Sequence, residues 1–169
     1  MGALDASAPA VVAGDRLPVE TVDWFTCRDT LQRFGLMLPS ELQWEYGIRG
    51  GTTTAWWMGD DEKALLAADK IGDGTKLLPV GSKSANAFGL FDMAGNVSEW
   101  CYDEYGDYGT ERAGDGRRPD PTNCPLLRCD RGGSFVSDVF YARSVNRNSH
   151  VATYRDGSLG ARPSRTSRR

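Results

Sequence analysis

The sequence NAFGLFDMAGNVSEW, at residues 86–100, sets short apolar runs between glycine, asparagine and aspartate. No helical or strand periodicity continues through it. Glycines such as Gly89 and Gly95 allow the positive φ angles that tight turns need, while Trp100 offers a large ring for burial. The stretch therefore predicts an ordered, irregular segment in a compact body.

The composition of the whole chain has the same character. Twenty of its 169 residues are glycine, and it has five Trp, six Tyr and six Phe. This length suits one domain, because single hydrophobic cores commonly serve about 100–200 residues. The 20 basic and 23 acidic residues leave a net charge of −3, which argues against binding by phosphate neutralisation. We therefore expect no nucleic-acid partner.

The chain lacks an apolar run of the about 20 residues that cross a bilayer. Residues 1–14 are rich in alanine but have no basic segment ahead of a sustained apolar core, unlike a signal peptide. These features predict a cytoplasmic protein without a membrane span.

The four cysteines are too few for a disulfide scaffold in a chain of this length. Cys27 and Cys101 are expected to be small buried side chains. For Cys124 and Cys129 two alternatives stay open, a local disulfide or two reduced thiols.

Two helices are predicted ahead of residues 86–100. The first covers residues 23–34 and stops at a glycine. The second begins after Ser40, which suits an N-cap, and Gln43 can complete a capping box. A pair of glycines at residues 50–51 ends the second helix.

Short strands are predicted at residues 18–24, 131–135, 141–145 and 158–162. A long surface loop is predicted at residues 105–122, which are rich in Gly, Asp, Arg and Pro. Helices followed by short strands in long loops define an α+β domain. Its expected limits are residues 18–163, after a loose lead-in at 1–17 and before a basic tail at 164–169.

Five segments, in this order, resemble the formylglycine-generating-enzyme and sulfatase-modifying-factor family. They are LMLPSELQWEYGIRGG at 36–51, WMGD at 57–60, the stretch at 86–100, RGGSF at 131–135 and LGAR at 159–162. The resemblance implies the C-type lectin-like fold of that family, with two early helices, short antiparallel strands and many loops. The first strands of the family have no counterpart here.

Enzymes of this family oxidise a substrate cysteine with a copper-binding cysteine pair just after the GGS segment. The first cysteine of that pair falls on Ser137, and no cysteine follows it. Soft Cu(I) needs thiolate ligands, which a hydroxyl cannot replace. A second branch holds iron with three histidines, whereas His150 is the one histidine here and is expected to face solvent. The resemblance therefore implies a chain that is not an enzyme and binds neither copper nor iron.

The family also holds a structural calcium ion through a side chain, two carbonyls and a glutamate. Their positions in this sequence are Asp92, Gly95, Val97 and Glu99. Such hard oxygen ligands suit Ca²⁺. The alternative is a hydrogen-bonded turn in which the two carboxylates accept backbone N–H groups.

Relatives known as diversity-generating-retroelement variable proteins concentrate their variable positions between the GGS and GAR segments. In this chain the region is residues 136–156, where polar side chains and tyrosines suit an adaptable binding surface. Arg143 and Arg147, in the same region, are expected to pair with Glu45 or Glu99. The candidate binding residues are Ser137, Asp138, Phe140, Tyr141, Asn146, Asn148, Ser149, His150, Tyr154 and Asp156.

The leading hypothesis is a non-catalytic module that binds a protein or a small ligand, whose identity the sequence leaves open. The second is an accessory or regulatory domain of a larger bacterial protein, such as a kinase or protease fusion. The third is a metal-dependent oxidoreductase of the formylglycine-generating type.

Overall fold

The computed structural model describes residues 16–74, 76–107 and 127–165, and its first helices follow from their capping residues. Helix α1 (Trp24–Arg33) begins at Asp23, whose side chain accepts a hydrogen bond from the Thr26 amide. Helix α2 (Glu41–Arg49) has the capping box of Ser40 and Gln43 and ends at Gly50, where φ is +54°. Both predicted helices are confirmed.

A third helix, α3 (Glu62–Ala68), was not among the predicted elements. It begins at Asp61, whose side chain accepts a hydrogen bond from the Lys63 amide. A short 3-10 helix, Val139–Ala142, lies where residues 141–145 were predicted to form a strand. The Asp138 side chain accepts a hydrogen bond from the Phe140 amide, and this local cap favours the helical turn over an extended chain.

The strands among the described residues are β1 (Ser98–Glu104), β2 (Leu127–Arg131), β3 (Asn148–Val151) and β4 (Leu159–Gly160). They form one sheet in the order β3-β2-β1-β4. The β1–β2 and β2–β3 pairs are antiparallel, but β4 runs parallel to β1. The expectation of antiparallel strands is therefore wrong for β4, which returns to the sheet after a long connection.

Two further predicted strands are shorter than expected. Residues 18–24 contribute only an isolated bridge between Glu20 and Gly160, because Asp23 already caps α1. Strand β2 ends at Arg131, after which Gly132 and Gly133 turn the chain with φ angles of +98° and +66°.

The core consists of two clusters of buried side chains. One surrounds Trp44 and Ile48 of α2, and the other surrounds Trp24 of α1 and Trp100 of β1. The three tryptophans are at most 2% exposed, so their rings belong to the core. The two clusters fix α1 and α2 against the sheet.

Residues 86–97 form an ordered loop against the first cluster, as predicted, and residues 98–100 begin β1. The Asn86 side-chain Nδ2 donates to the Gly47 carbonyl at 2.7 Å, which attaches the loop to α2. The Gly95 amide donates to the Gly132 carbonyl at 2.9 Å. Hydrogen bonds to distant segments thus replace secondary structure here.

The two ends of the described chain also contact the body. The Val80 amide donates to the Arg16 carbonyl at 2.6 Å. Ser164 and Met37 form an antiparallel β-bridge, in which each backbone amide donates to the carbonyl of the other residue. Residues 1–15 and 166–169, most of the predicted loop at 105–122, and Cys124 lie outside the described residues. Within the described part, no helix combines the length and apolar character needed to cross a bilayer.

Candidate functional site

The position that matches the first catalytic cysteine of the family lies in a tight turn after β2. The Ser134 amide donates to the Ser137 hydroxyl at 3.0 Å, and the two hydroxyl oxygens are 2.9 Å apart. Ser137 is half-buried. Its side chain therefore closes the turn by hydrogen bonding. The turn presents a hydroxyl at the position where binding of Cu(I) would require a thiolate.

Four of the predicted binding residues surround one small depression beside this turn. They are Ser137, Tyr141, Asn146 and Asn148, and the cavity between them measures about 20 Å³. Asp130 and Arg131 of β2 also line it. A depression of this size holds no more than a water-sized group, so recognition here would use its rim.

Buried charges fix the chain that carries Asn146 and Asn148. Arg131 is fully buried, forms an ion pair with Glu45 and donates to the Asn146 backbone carbonyl. Its guanidinium lies 3.6 Å from the carboxylate of Glu41.

Glu41 also forms an ion pair with Arg147. Desolvation alone would lower the pKa of Arg147, but hydrogen bonds to Glu41 and its charge outweigh that effect and raise the pKa. The expected pairing of Arg143 or Arg147 with Glu45 or Glu99 is wrong, because Arg143 lies 4.6 Å over the Phe140 ring. The buried pairs attach the loop at 143–148 to α2.

A buried carboxylate organises the exposed edge of the sheet. Asp130, which is 1% exposed, accepts hydrogen bonds from Asn148 at 3.3 Å and from the His150 Nδ1 at 2.8 Å. The hydrogen bond to Asp130 raises the pKa of His150. Asp130 was missed from the sequence because its role depends on the register that places it opposite Asn148.

His150 is half-buried, so the expectation of a solvent-facing histidine holds only in part. Its ring stacks on Tyr154, with centroids 4.4 Å apart and planes inclined by 7°. Ser149, between Asn148 and His150, pairs with Cys129 in the β2–β3 ladder. The stack extends the candidate surface from the depression along β3.

Asp156 has a structural role in the described geometry. Its carboxylate accepts a hydrogen bond from the Ser158 amide at 2.8 Å, and the bonds from Ser158 lower its pKa. Its backbone carbonyl accepts from the Thr21 amide at 3.1 Å. Of the predicted binding residues, Asp156 and the capping residue Asp138 therefore hold turns in place.

Exposed apolar groups lie on the 3-10 helix and on both sides of it. Phe140 and Tyr141 are 49% and 46% exposed and meet edge to face at 5.6 Å. Val136 and Val145 are more than half exposed. Large apolar side chains left accessible in one short segment are typical of an interaction surface.

The predicted calcium ligands lie on a different face, beside a cavity of about 620 Å³. Glu99 accepts hydrogen bonds from the Trp44 ring at 2.7 Å and from the Arg162 guanidinium at 2.7 and 2.9 Å. Asp92 accepts from the Gly81 amide at 2.7 Å. Both carboxylates thus have partners, and a guanidinium supplies the positive charge.

This arrangement fits the hydrogen-bonded turn better than a calcium ion. Asp92 accepts a backbone N–H as that alternative requires, whereas Glu99 accepts side-chain donors. The charge of Glu99 also raises the pKa of Arg162. Calcium at Asp92, Gly95, Val97 and Glu99 stays a prediction, since an ion would have to share or displace these partners.

Three thiols are present among the described residues, and all are free and buried. Burial raises the pKa of Cys27 and of Cys129 to about 12 and also raises that of Cys101. The expectation for Cys27 and Cys101 is confirmed. The free thiol of Cys129 agrees with the reduced alternative for that residue.

The chain belongs to the family described as the sulfatase-modifying factor enzyme 1-like domain, whose model matches residues 4–166. This match confirms the resemblance carried by the five sequence segments.

Among curated relatives, the serine/threonine-protein kinase pkn1 of Chlamydia caviae is 36% identical over 121 residues, covering 71% of this chain and 19% of the kinase. The formylglycine-generating enzyme of Mycobacterium tuberculosis is 44% identical over 84 residues, covering 42% of this chain and 28% of the enzyme. The chain thus spans less than a third of the length of these two relatives.

Among solved structures, Treponema denticola variable protein 1 matches with a TM-score of 0.77 and 26% identity. The match covers 92% of this chain and 74% of that protein. This match confirms the α+β fold of the formylglycine-generating-enzyme type. It also shows that a protein with a similar structure is named a variable protein.

Proposed function

We propose that this chain is a non-catalytic recognition module whose binding surface lies in residues 136–156. The observation that carries the proposal is the grouping of Ser137, Tyr141, Asn146 and Asn148 around one depression. Beneath them, Asp130 and Arg131 are 1% exposed and hold the backbone and side chains above. A rigid base below exposed aromatic and amide side chains is the arrangement that binding loops commonly have.

The thiols of the described residues support a role without catalysis. A reactive thiol is accessible and has a lowered pKa, whereas Cys27, Cys101 and Cys129 are buried with raised pKa values. At the position that matches the first catalytic cysteine of the family, the Ser137 hydroxyl is hydrogen-bonded to the Ser134 hydroxyl. Titration with Cu(I) or Fe(II) tests the competing oxidoreductase hypothesis, and stoichiometric binding with thiol oxidation would favour that hypothesis instead.

Binding is tested by comparing the proteins recovered by wild type with those recovered by a triple variant. Phe140→Ala, Tyr141→Ala and Asn148→Ala remove exposed groups while leaving the buried ion pairs intact. The matched control is Leu42→Ala with Tyr46→Ala, since these side chains are 54% and 69% exposed on α2. We expect partners that wild type and control retain and the triple variant loses. Equal recovery by all three would remove residues 136–156 as the recognition surface.

The likeness to Treponema denticola variable protein 1 supports the further proposal that the surface is diversified by a retroelement. The genome provides the test. A nearby template repeat of the sequence coding for residues 136–156, with substitutions at adenines, is the expected finding. Absence of any such repeat would end this part of the proposal and leave the recognition surface itself untouched.

The second candidate function is a regulatory domain within a larger protein. The likeness to a kinase, of which the chain covers 19%, favours it. Sequencing the complete reading frame distinguishes the candidates, because a regulatory domain requires a kinase, protease or similar domain in the same polypeptide.

A further inference from the structure

A second cleft lies next to the recognition surface and shares Ser137 with it. Its volume is about 540 Å³, and its walls are α3, the loop at 71–73 and residues 136–139. This volume lies within the range of about 300–1,000 Å³ typical of ligand sites. It is much larger than the depression beside Tyr141 and Asn148, which measures about 20 Å³.

The apolar part of the cleft lining is aliphatic. Leu66 on one wall is 44% exposed and Val136 on the other is 56% exposed. Ile71 is 4% exposed, and the partly buried Val139 packs against the core. Two accessible aliphatic side chains on opposite walls, above a base joined to the core, form a surface that gains free energy when an apolar group covers it.

The rim of the cleft is acidic. Glu62, Asp73 and Asp138 line it, and the described lining includes no basic side chain. Asp73 forms an ion pair with Lys70, whose side chain is 9% exposed. Asp138 caps the 3-10 helix through one carboxylate oxygen. Glu62 and Asp138 therefore add negative charge to the rim beside the paired Asp73.

The two walls are held at a fixed separation. The Gly74 amide donates to the Phe135 carbonyl at 2.9 Å, and a methyl group added at Gly72 would lie 3.0 Å from the Ser137 carbonyl oxygen. The Trp56 ring nitrogen donates to the Val139 carbonyl at 3.3 Å. A preformed cleft loses little conformational entropy when it binds.

We propose that this cleft docks a cationic, aliphatic segment of the partner protein, in which lysine or arginine alternates with aliphatic residues. The aliphatic side chains would cover Leu66 and Val136, and the cations would meet the carboxylates of Glu62, Asp73 and Asp138. Charge complementarity of this kind speeds association and excludes acidic partners. The inference rests on the proposed function, because it names the class of partner for the recognition surface.

The test is an NMR titration of the full chain with a short peptide of alternating lysine and leucine. We expect a dissociation constant of about 1 mM or lower, with amide shifts confined to residues 62–73 and 136–139. Binding should weaken several-fold as salt rises from about 20 to about 300 mM. A counterpart with glutamate in place of lysine should not bind. Equal binding of both peptides, or no localised shifts, would overturn the inference.

Two variants and one control complete the test. Glu62→Gln and Leu66→Ser should each weaken binding of the lysine peptide by about fivefold to tenfold, with unchanged circular dichroism. Asp29→Asn removes an exposed carboxylate on α1 and should leave binding unchanged. Since Glu62 and Leu66 lie outside residues 136–156, their variants also separate the two proposals. A partner lost by the triple variant but kept by both cleft variants would overturn the inference and leave the proposed function standing.

Discussion

His150 and Asp130 show how a single pair of side chains shapes the recognition surface. The imidazole lies between the buried carboxylate and the Tyr154 ring, and Asp156 adds a second negative charge nearby. Protonation strengthens the hydrogen bond to Asp130, so the strength of this contact depends on pH.

The pH dependence of stability follows from the raised pKa of His150. The folded protein binds this proton more tightly than the unfolded chain, so the stabilisation is complete below about pH 6.5 and is lost as pH rises through the folded pKa. We expect His150 to contribute a fall of up to about 1 kcal/mol in the free energy of unfolding in that interval, since the side chain is partly exposed. Burial raises the pKa of Asp69 to about 7, so Asp69 adds to the total pH dependence. Urea denaturation from about pH 5.5 to about pH 8.5 measures it.

His150→Gln is the matched control, because glutamine keeps a donor for Asp130 but does not titrate. The difference in stability between wild type and variant should shrink as pH rises. A difference that stays constant across the range would show that the pair contributes nothing through protonation.

Single residues were predictable from the sequence where their role is local. The cap at Ser40 and the burial of Trp100 need only neighbouring positions or side-chain size. Asp130 and Arg131 were missed because their partners lie on other elements, at positions that only the folded register brings together.

At the level of secondary structure, helices were predicted better than strands. A helix makes its hydrogen bonds within itself, so its caps and spacing can be read directly. Helix α3 was missed because its seven residues are too few to show a periodic apolar face. Strand β4 falls within the strand predicted at 158–162 but has only two residues, and its parallel pairing with β1 is not encoded by any local pattern.

The loop at 86–100 meets the loop at 70–71 so closely that Gly95 admits no side chain. A methyl group there would lie 2.1 Å from the Lys70 carbonyl oxygen, and φ is +91°. We expect Gly95→Ala to destabilise the fold by about 3 kcal/mol or more, from the steric overlap and the left-handed backbone together. Thermal and urea denaturation give the value.

Gly51→Ala separates these two causes. Gly51 has a similar φ of +93°, but a methyl group there would meet nothing within 4 Å. Its substitution should cost only about 1 kcal/mol. Equal losses for the two variants would mean that the close approach to Lys70 contributes no strain.

For the molecule as a whole, Arg162 joins the end of the sheet to the loop at 86–100. It contacts Glu99 and the backbone carbonyls of Phe91 and Asp92. Because these contacts already supply positive charge, we expect the same melting temperature with calcium and with a chelator. A bound ion would instead stabilise by about 2–4 kcal/mol when saturated. A melting temperature that rises with calcium and falls with chelator would confirm the ion predicted from the sequence.

The sequence predicted which segment carries the candidate surface but not how its side chains are arranged in space. The sequence placed the binding residues between the GGS and GAR segments, and the structure brings Ser137, Tyr141, Asn146 and Asn148 together there. The structural roles of Asp138 and Asp156 could not be foreseen, because a carboxylate that caps a turn has the same sequence signal as an exposed one.

The anchor beneath Asn146 has a consequence for mutational tolerance. The Arg131 guanidinium donates to the backbone carbonyl of residue 146. This hydrogen bond does not depend on which side chain residue 146 carries. The side chain at position 146 can therefore be replaced while its backbone stays in place. Position 150, in contrast, is held through the imidazole of His150 itself. A randomised library built on this scaffold would therefore accept all polar and small residues at 146 and penalise most replacements at 150.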